Sequence, residues 1–247
     1  MSTYPLIVYP LIVAVVSLVF GVIVLSQWMA RRRSQQLIWG IALLMAAGAS
    51  FAFVGFLSDG SELLFRVYYA LGALLMAAYL GMGSLYLALS KRAADLILAA
   101  LVIVSALGVA LILVAPVDVA ALHKLQHTSG AGTGVLKTGL WLVLLILLNS
   151  FGAAAVIGVA LYSAYKVLRR QAPVRFAVAN VTIAVGTGII SYAGTAARLG
   201  SPNSFWILMA VGWVVIFAGF LLTLKLAPLA RPGRDVPQPV ASSSSSQ

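Results

Sequence analysis

Seven apolar runs, each 21 to 28 residues long and parted by short connections that carry most of the Lys and Arg, constrain this chain more than any other feature. About 20 consecutive apolar residues cross the ~30 Å hydrocarbon core of a bilayer as an α-helix. In lipid each backbone N–H and C=O must be bonded within the segment, which leaves helices as the spanning form for runs of this length. The runs are Pro5 to Met29, Leu37 to Leu57, Glu62 to Leu89, Ala94 to Ala115, Gly139 to Tyr165, Val174 to Ala197 and Phe205 to Leu226. The reading is an all-α polytopic membrane helical bundle of seven transmembrane helices.

Composition agrees. Only 9% of the 247 residues are charged and 62% are hydrophobic, whereas a soluble domain carries about 25% charged residues. The net charge of +11 is no nucleic-acid footprint, because the basic residues sit in short loops between spans and no basic face with interleaved aromatics exists. They set topology and meet anionic headgroups instead, so the expected partner is the lipid bilayer and not a nucleic acid. The chain has no cysteine, which removes disulfides, thiolate metal sites and cysteine nucleophiles.

Orientation follows from the basic residues. Arg31, Arg32, Arg33, Lys91, Arg92, Lys166, Arg169, Arg170, Arg175, Lys225, Arg231 and Arg234 follow the odd-numbered spans. Arg66, Lys124, Lys137 and Arg198 lie at the other end. The bias places the N-terminus outside and the C-terminus in the cytoplasm of a cell in whose plasma membrane the chain sits. The first span carries its charge behind it, as an uncleaved signal-anchor does. Residues 1–228 form one transmembrane domain, and the Pro-, Ser- and Arg-rich residues 229–247 read as a disordered cytoplasmic tail.

Between the fourth and fifth spans lies a longer connection. Val117 to His127 reads as a short interfacial amphipathic helix, and Ser129 to Gly134 as a flexible glycine-rich loop. Shifting the first three spans by 137 residues lays them on the last three without a gap, matching Arg32 and Arg33 to Arg169 and Arg170. This is the pattern of a 3+1+3 parallel repeat, although basic loops and apolar spans align readily without common origin. The sugar transporters called sweets have that arrangement, but their Pro-Gln pair occurs in no span here, and the family is not assigned.

Exclusions dominate the chemistry. No Asp, Glu, Lys, Arg or His falls in the middle third of any span. Intramembrane ionisable groups mark proton relays, ion paths and voltage sensors, and this chain lacks them. The seventh span has no central lysine for a retinal Schiff base. His123 and His127 share a helical face at i, i+4, yet two imidazoles without a third ligand make no metal site, so neither metal nor cofactor is expected. No nucleophile–base set, metalloprotease motif or phosphate loop occurs. The chain does not read as an enzyme.

The candidate ligand-binding residues are polar groups within the spans. Asn180, Thr187, Ser191, Thr195 and Arg198 fall on one stripe of the sixth span, with Gly186, Gly188 and Gly194 around it. Such a stripe can line a cavity. The simpler account is helix packing, since small and hydroxyl residues are the usual membrane contact and Ser and Thr bond their own i−4 carbonyls. Asn149, at the depth of Ser191 on the fifth span, should bond across helices. Tyr79 lies between Tyr68 and Tyr86 on one face of the third span. Glu62 and Arg66 form an i, i+4 pair at its outer end, level with Arg198, and the two arginines could receive a carboxylate. The function expected is a non-catalytic sensor or accessory subunit that binds a lipid-like ligand, a partner membrane protein or a second copy of the chain. The alternative is a facilitative transporter of a small neutral solute.

Overall fold

Every apolar run folds as a helix of spanning length in the computed structural model, which describes residues 4–128, 130–170 and 173–224. The helices are α1 (Tyr4–Arg31), α2 (Ser34–Asp59), α3 (Glu62–Ala88), α4 (Lys91–Val114), a short α5 (Val119–Gln126), α6 (Leu140–Arg169), α7 (Val174–Arg198) and α8 (Phe205–Leu224). All but α5 are long and apolar enough to cross a membrane. By helix length and hydropathy the chain is a multi-pass membrane protein. Lys225, Leu226, Arg231, Arg234 and the tail 229–247 lie outside the described residues, as does Ser129.

The turns follow local chemistry. Gly60 ends α2 in the left-handed region (φ 71°), its N–H bonded to Phe56 O at 2.8 Å; only glycine takes that conformation without strain. Ser61 then caps α3, its Oγ accepting from the Leu64 N–H, with Glu62 in the first turn where the dipole favours an anion. The third span is not uniform, however. Tyr69–Leu75 is a π-helical segment, with the Met76 N–H reaching back to Leu71 O. Nothing in the residue pattern announces it. Within it the Ala73 carbonyl accepts from a tertiary donor, the Asn149 amide on α6, at 2.6 Å.

Six of the spans form a ring. α1 packs on α2 and α8, α2 on α3, α3 on α6, α6 on α7, and α7 on α8. α4 stands outside it against α3 and α6, with Leu96, Ile103 and Val114 exposed. This order follows the chain as two successive triplets separated by α4; an internal duplication is not shown. Lipid supplies no hydrophobic drive between helices, so close backbone approach at small residues holds the ring together. A Cβ on Gly152 of α6 would strike the Ala77 carbonyl of α3. Gly186 of α7 and Gly212 of α8 are each opposed by the other's backbone oxygen, at about 3 Å from where a Cβ would stand.

α4 is held at both ends by polar contacts. Arg66 of α3 donates to Ile112 O and, at 2.8 Å, to Ala115 O, satisfying carbonyls that a helix C-terminus leaves open. Its Nη2 also pairs with Glu62 at 2.7 Å. At the opposite end the Tyr86 hydroxyl donates to Asp95 Oδ1 at 2.7 Å, and Lys91 to Asp95 Oδ2 at 2.8 Å.

The connection from Val117 to Lys137 forms a cap over one end of the ring. Asp118 caps α5, its Oδ1 accepting from the Ala121 N–H at 3.0 Å. Two backbone bonds, Asp118 N–H to Val135 O and Lys137 N–H to Pro116 O, close the segment on itself. Leu122, Leu125, Ala131, Val135 and Leu136 are buried. The glycine-rich stretch therefore differs from the open loop its composition suggests. Gly130, Ala131 and Gly132 are packed down: Gly132 (φ 77°) lies on the Phe65 ring, and the Tyr68 hydroxyl donates to Ala131 O at 3.0 Å.

Candidate functional site

Inside the ring, below the cap, lies a cavity of about 460 Å³. Its floor and far wall come from α2, α3 and α8: Ser50, Tyr68, Tyr69, Met76, Trp206 and Trp213 are among the lining residues, and all six are buried. Ala131 and Thr133 of the cap close the top. The near wall is α6 and α7, contributing Asn149, Ser150, Thr187, Ser191, Thr195 and Arg198. The surface is overwhelmingly apolar, with a few polar groups at fixed places, which is the character of small-molecule sites of about 300–1,000 Å³.

The polar stripe of α7 thus faces a space and not a neighbouring helix. Thr187, Ser191 and Thr195 each donate to the carbonyl four residues back, at 2.9, 2.9 and 3.0 Å. Their hydrogens are committed, which lets hydroxyls stand in an apolar wall at little cost. The contact between α7 and α8 is made elsewhere, through Gly186, Gly212 and Gly219. Asn180 lies beyond the cavity, bonded to Phe176 O at 2.8 Å. Asn149 lines it and uses its amide to hold Ala73 O and Leu145 O.

Among the described residues Arg198 is the only charged one of the lining. It ends α7, where a cation meets the carbonyl end of the helix dipole, and Gly200 (φ 100°) turns the chain away behind it. The guanidinium lies beside the Tyr69 hydroxyl and near Tyr68. Among the described residues no carboxylate pairs with it; the two ion pairs there are Glu62–Arg66 and Lys91–Asp95. Arg198 is exposed. Arg66 and Glu62, by contrast, are engaged with each other and with the end of α4, outside the lining. The two arginines do not converge on one site. Tyr79 is half-buried and also outside it, so Tyr68, Tyr79 and Tyr86 form no shared platform.

The cavity has one open side. Its exposed lining residues are Ile146 and Ser150 of α6, Thr195 and Arg198 of α7, and Leu199 just beyond. The lining contributed by α1, α2 and α8 is buried throughout. α6 and α7 are joined by a short connection at the end away from the cap, where Ala160, Ala164 and Ala177 are buried. Toward the cap α6 follows α3 and α7 follows α8, and the gap between them is the opening.

Trp206 and Trp213 add a feature that residue patterns did not flag as functional. They stand at i, i+7 on α8, and neither indole N–H has an acceptor among the described residues. Their spacing puts them on one face, but a tryptophan in an apolar span reads as packing until a cavity is seen beside it. His123 and His127 are exposed on the cap, and Asp118 is occupied as a helix cap. Among the described residues no three His, Cys, Asp or Glu gather.

Comparison with protein-family models, curated proteins and solved structures finds no match to this chain. The class stated by the fold, a multi-pass membrane bundle, therefore stands on the helices themselves.

Proposed function

We propose that this protein is a non-catalytic membrane bundle that holds one apolar, lipid-like ligand in the cavity below the cap, acting as a sensor or as an accessory subunit of a larger membrane assembly. The observation that carries this reading is the cavity: about 460 Å³, enclosed on the α1, α2 and α8 sides, apolar, and large enough for a single drug-sized molecule. The basic bias of the loops supports the orientation with the cap outside and the N-terminus on the same side.

Gly194 provides the test. It lines the cavity, and a Cβ there would meet nothing within 4 Å, so a larger side chain leaves the backbone into open space. Gly188 has equally free surroundings but does not line the cavity. The purified full chain in nanodiscs is titrated with radiolabelled hexadecanoic acid and its methyl ester. Saturable binding of about one molecule per chain is expected for at least one of them, lost in Gly194→Phe and kept in Gly188→Phe. Binding of neither, or binding indifferent to Gly194→Phe, refutes the reading. Saturable flux of a small neutral solute into vesicles, blocked by Gly194→Phe, would favour transport in its place.

A further inference from the structure

Resting on that reading, we infer that the ligand is a single-chain amphiphile with an anionic head, that Arg198 receives the head, and that the molecule enters sideways from the bilayer between α6 and α7. Three independent observations converge. The first is charge. One cation lines an otherwise uncharged cavity, and no carboxylate of the described residues neutralises it. A guanidinium at the edge of an apolar chamber favours a planar, doubly accepting anion such as a carboxylate, or a phosphate.

The second is the arrangement of depth and polarity. Arg198 and Tyr69 stand at the cap end with Thr133, while the lining runs inward to Leu80, Val156 and Ile216. Thr187 lies eleven residues inward of Arg198 along α7, about 16 Å at the helical rise of 1.5 Å per residue. A head group held at Arg198 would therefore send an apolar tail toward the middle of the membrane, parallel to the lipid chains. The wall along that path offers Met76 and Ile216 beside the uncharged polar groups of Ser50, Asn149, Thr187 and Trp213, which accept a hydrocarbon chain and provide no second charge.

The third is the route. The cap shuts the cavity from its own end, with Ala131 bonded to Tyr68 and Thr133 donating to Ala197 O at 3.5 Å. The exposed lining belongs to α6, α7 and the residue after α7. Ser150 is ten residues into α6, about 15 Å along the axis, a depth that meets hydrocarbon in a ~30 Å core, and the open side runs from there to Arg198 and Leu199 at the cap end. A lipid of the adjacent leaflet would enter along that length with its head at the cap end.

Three lipid probes with two Arg198 variants test the head group, and two maleimides with two cysteine variants test the route. Hexadecanoic acid should bind to the full chain in nanodiscs at least about tenfold more tightly than its methyl ester, the margin of one charge-assisted contact. Arg198→Gln should abolish that margin, weakening the acid far more than the ester, and Arg198→Lys should restore part of it. Hexadecyl phosphate binding with the same dependence on Arg198 supports the anionic head and assigns its source to phosphate lipids. Equal binding of acid and ester, unaffected by Arg198→Gln, overturns the head-group assignment while the apolar site stands; binding of neither removes both. For the route, the chain's lack of cysteine allows Ser150→Cys and Ser191→Cys to be labelled without background. A lipid-soluble maleimide should react with both and a sulfonated one with neither. Fast reaction with the sulfonated reagent overturns lateral entry.

Discussion

The closest backbone contact of the ring makes a quantitative prediction. Gly152→Ala adds one methyl group to α6 where α3 leaves no room for it: the new carbon would fall on the Ala77 carbonyl and 2.8 Å from Ala78 N. Backbone cannot swing away as a side chain can, so α3 and α6 must part by about 1 Å. A gap of that size forfeits a quarter to a half of each dispersion well of ~0.1–0.2 kcal/mol. Over the few tens of atom pairs around Gly81, Gly152 and Ala155 this amounts to roughly 2 kcal/mol, within the ~1–3 kcal/mol typical of overpacking. Alanine returns about 1 kcal/mol in helix propensity, for a net loss of ~1 kcal/mol. Gly188→Ala is the counterpart: nothing stands within 4 Å of its Cβ, so only the propensity gain remains, up to ~1 kcal/mol. Unfolding in mixed dodecylmaltoside–SDS micelles, followed by circular dichroism, measures both against the parent. Gly152→Ala unfolding at or above the parent's SDS fraction, or Gly188→Ala losing as much, would refute the account of helix contact given above.

Further tests address other parts of the structure. Asn149→Leu removes the donor to Ala73 O and should cost about 0.6–1.7 kcal/mol, the span of measured membrane side-chain hydrogen bonds, with faster amide exchange in Tyr69–Leu75; unchanged exchange there would show that the π segment does not depend on Asn149. Thr187→Val, which deletes a bond only to its own helix, should shift the SDS midpoint by less than ~0.5 kcal/mol. Replacing His123 and His127 together by Ala should leave heat stability and zinc content unaltered, and stoichiometric zinc lost in the double variant would contradict this. A reporter active only in the cytoplasm should be silent when fused to Met1 and active at Gln247; the reverse would overturn the orientation drawn from the loops.

What residue order alone determined is the number and approximate extent of the spans. That information is one-dimensional, because each helix satisfies its own backbone within a continuous apolar run and lipid enforces the same rule everywhere. Ser61 as the cap of α3 and the i, i+4 pair of Glu62 with Arg66 were legible for the same reason: both are local. Asn149 as a cross-helix donor was legible too, since lipid offers an amide no partner, although Asn149 also bonds Leu145 O of its own helix. Which way a stripe faces is not local. Thr187, Ser191, Thr195 and Arg198 are as suited to a helix contact as to a cavity wall, and the choice depends on where α3 and α8 draw α6 and α7 apart. Arg66 and Arg198 look alike in the chain, yet one ends on the carbonyls of α4 and the other beside Tyr69. The π segment, the exclusion of α4 from the ring and the folding of the glycine-rich stretch onto Phe65 and Tyr68 likewise came only with tertiary structure. Each depends on a backbone group or surface supplied by a distant helix, and hydropathy carries no record of which helix that is.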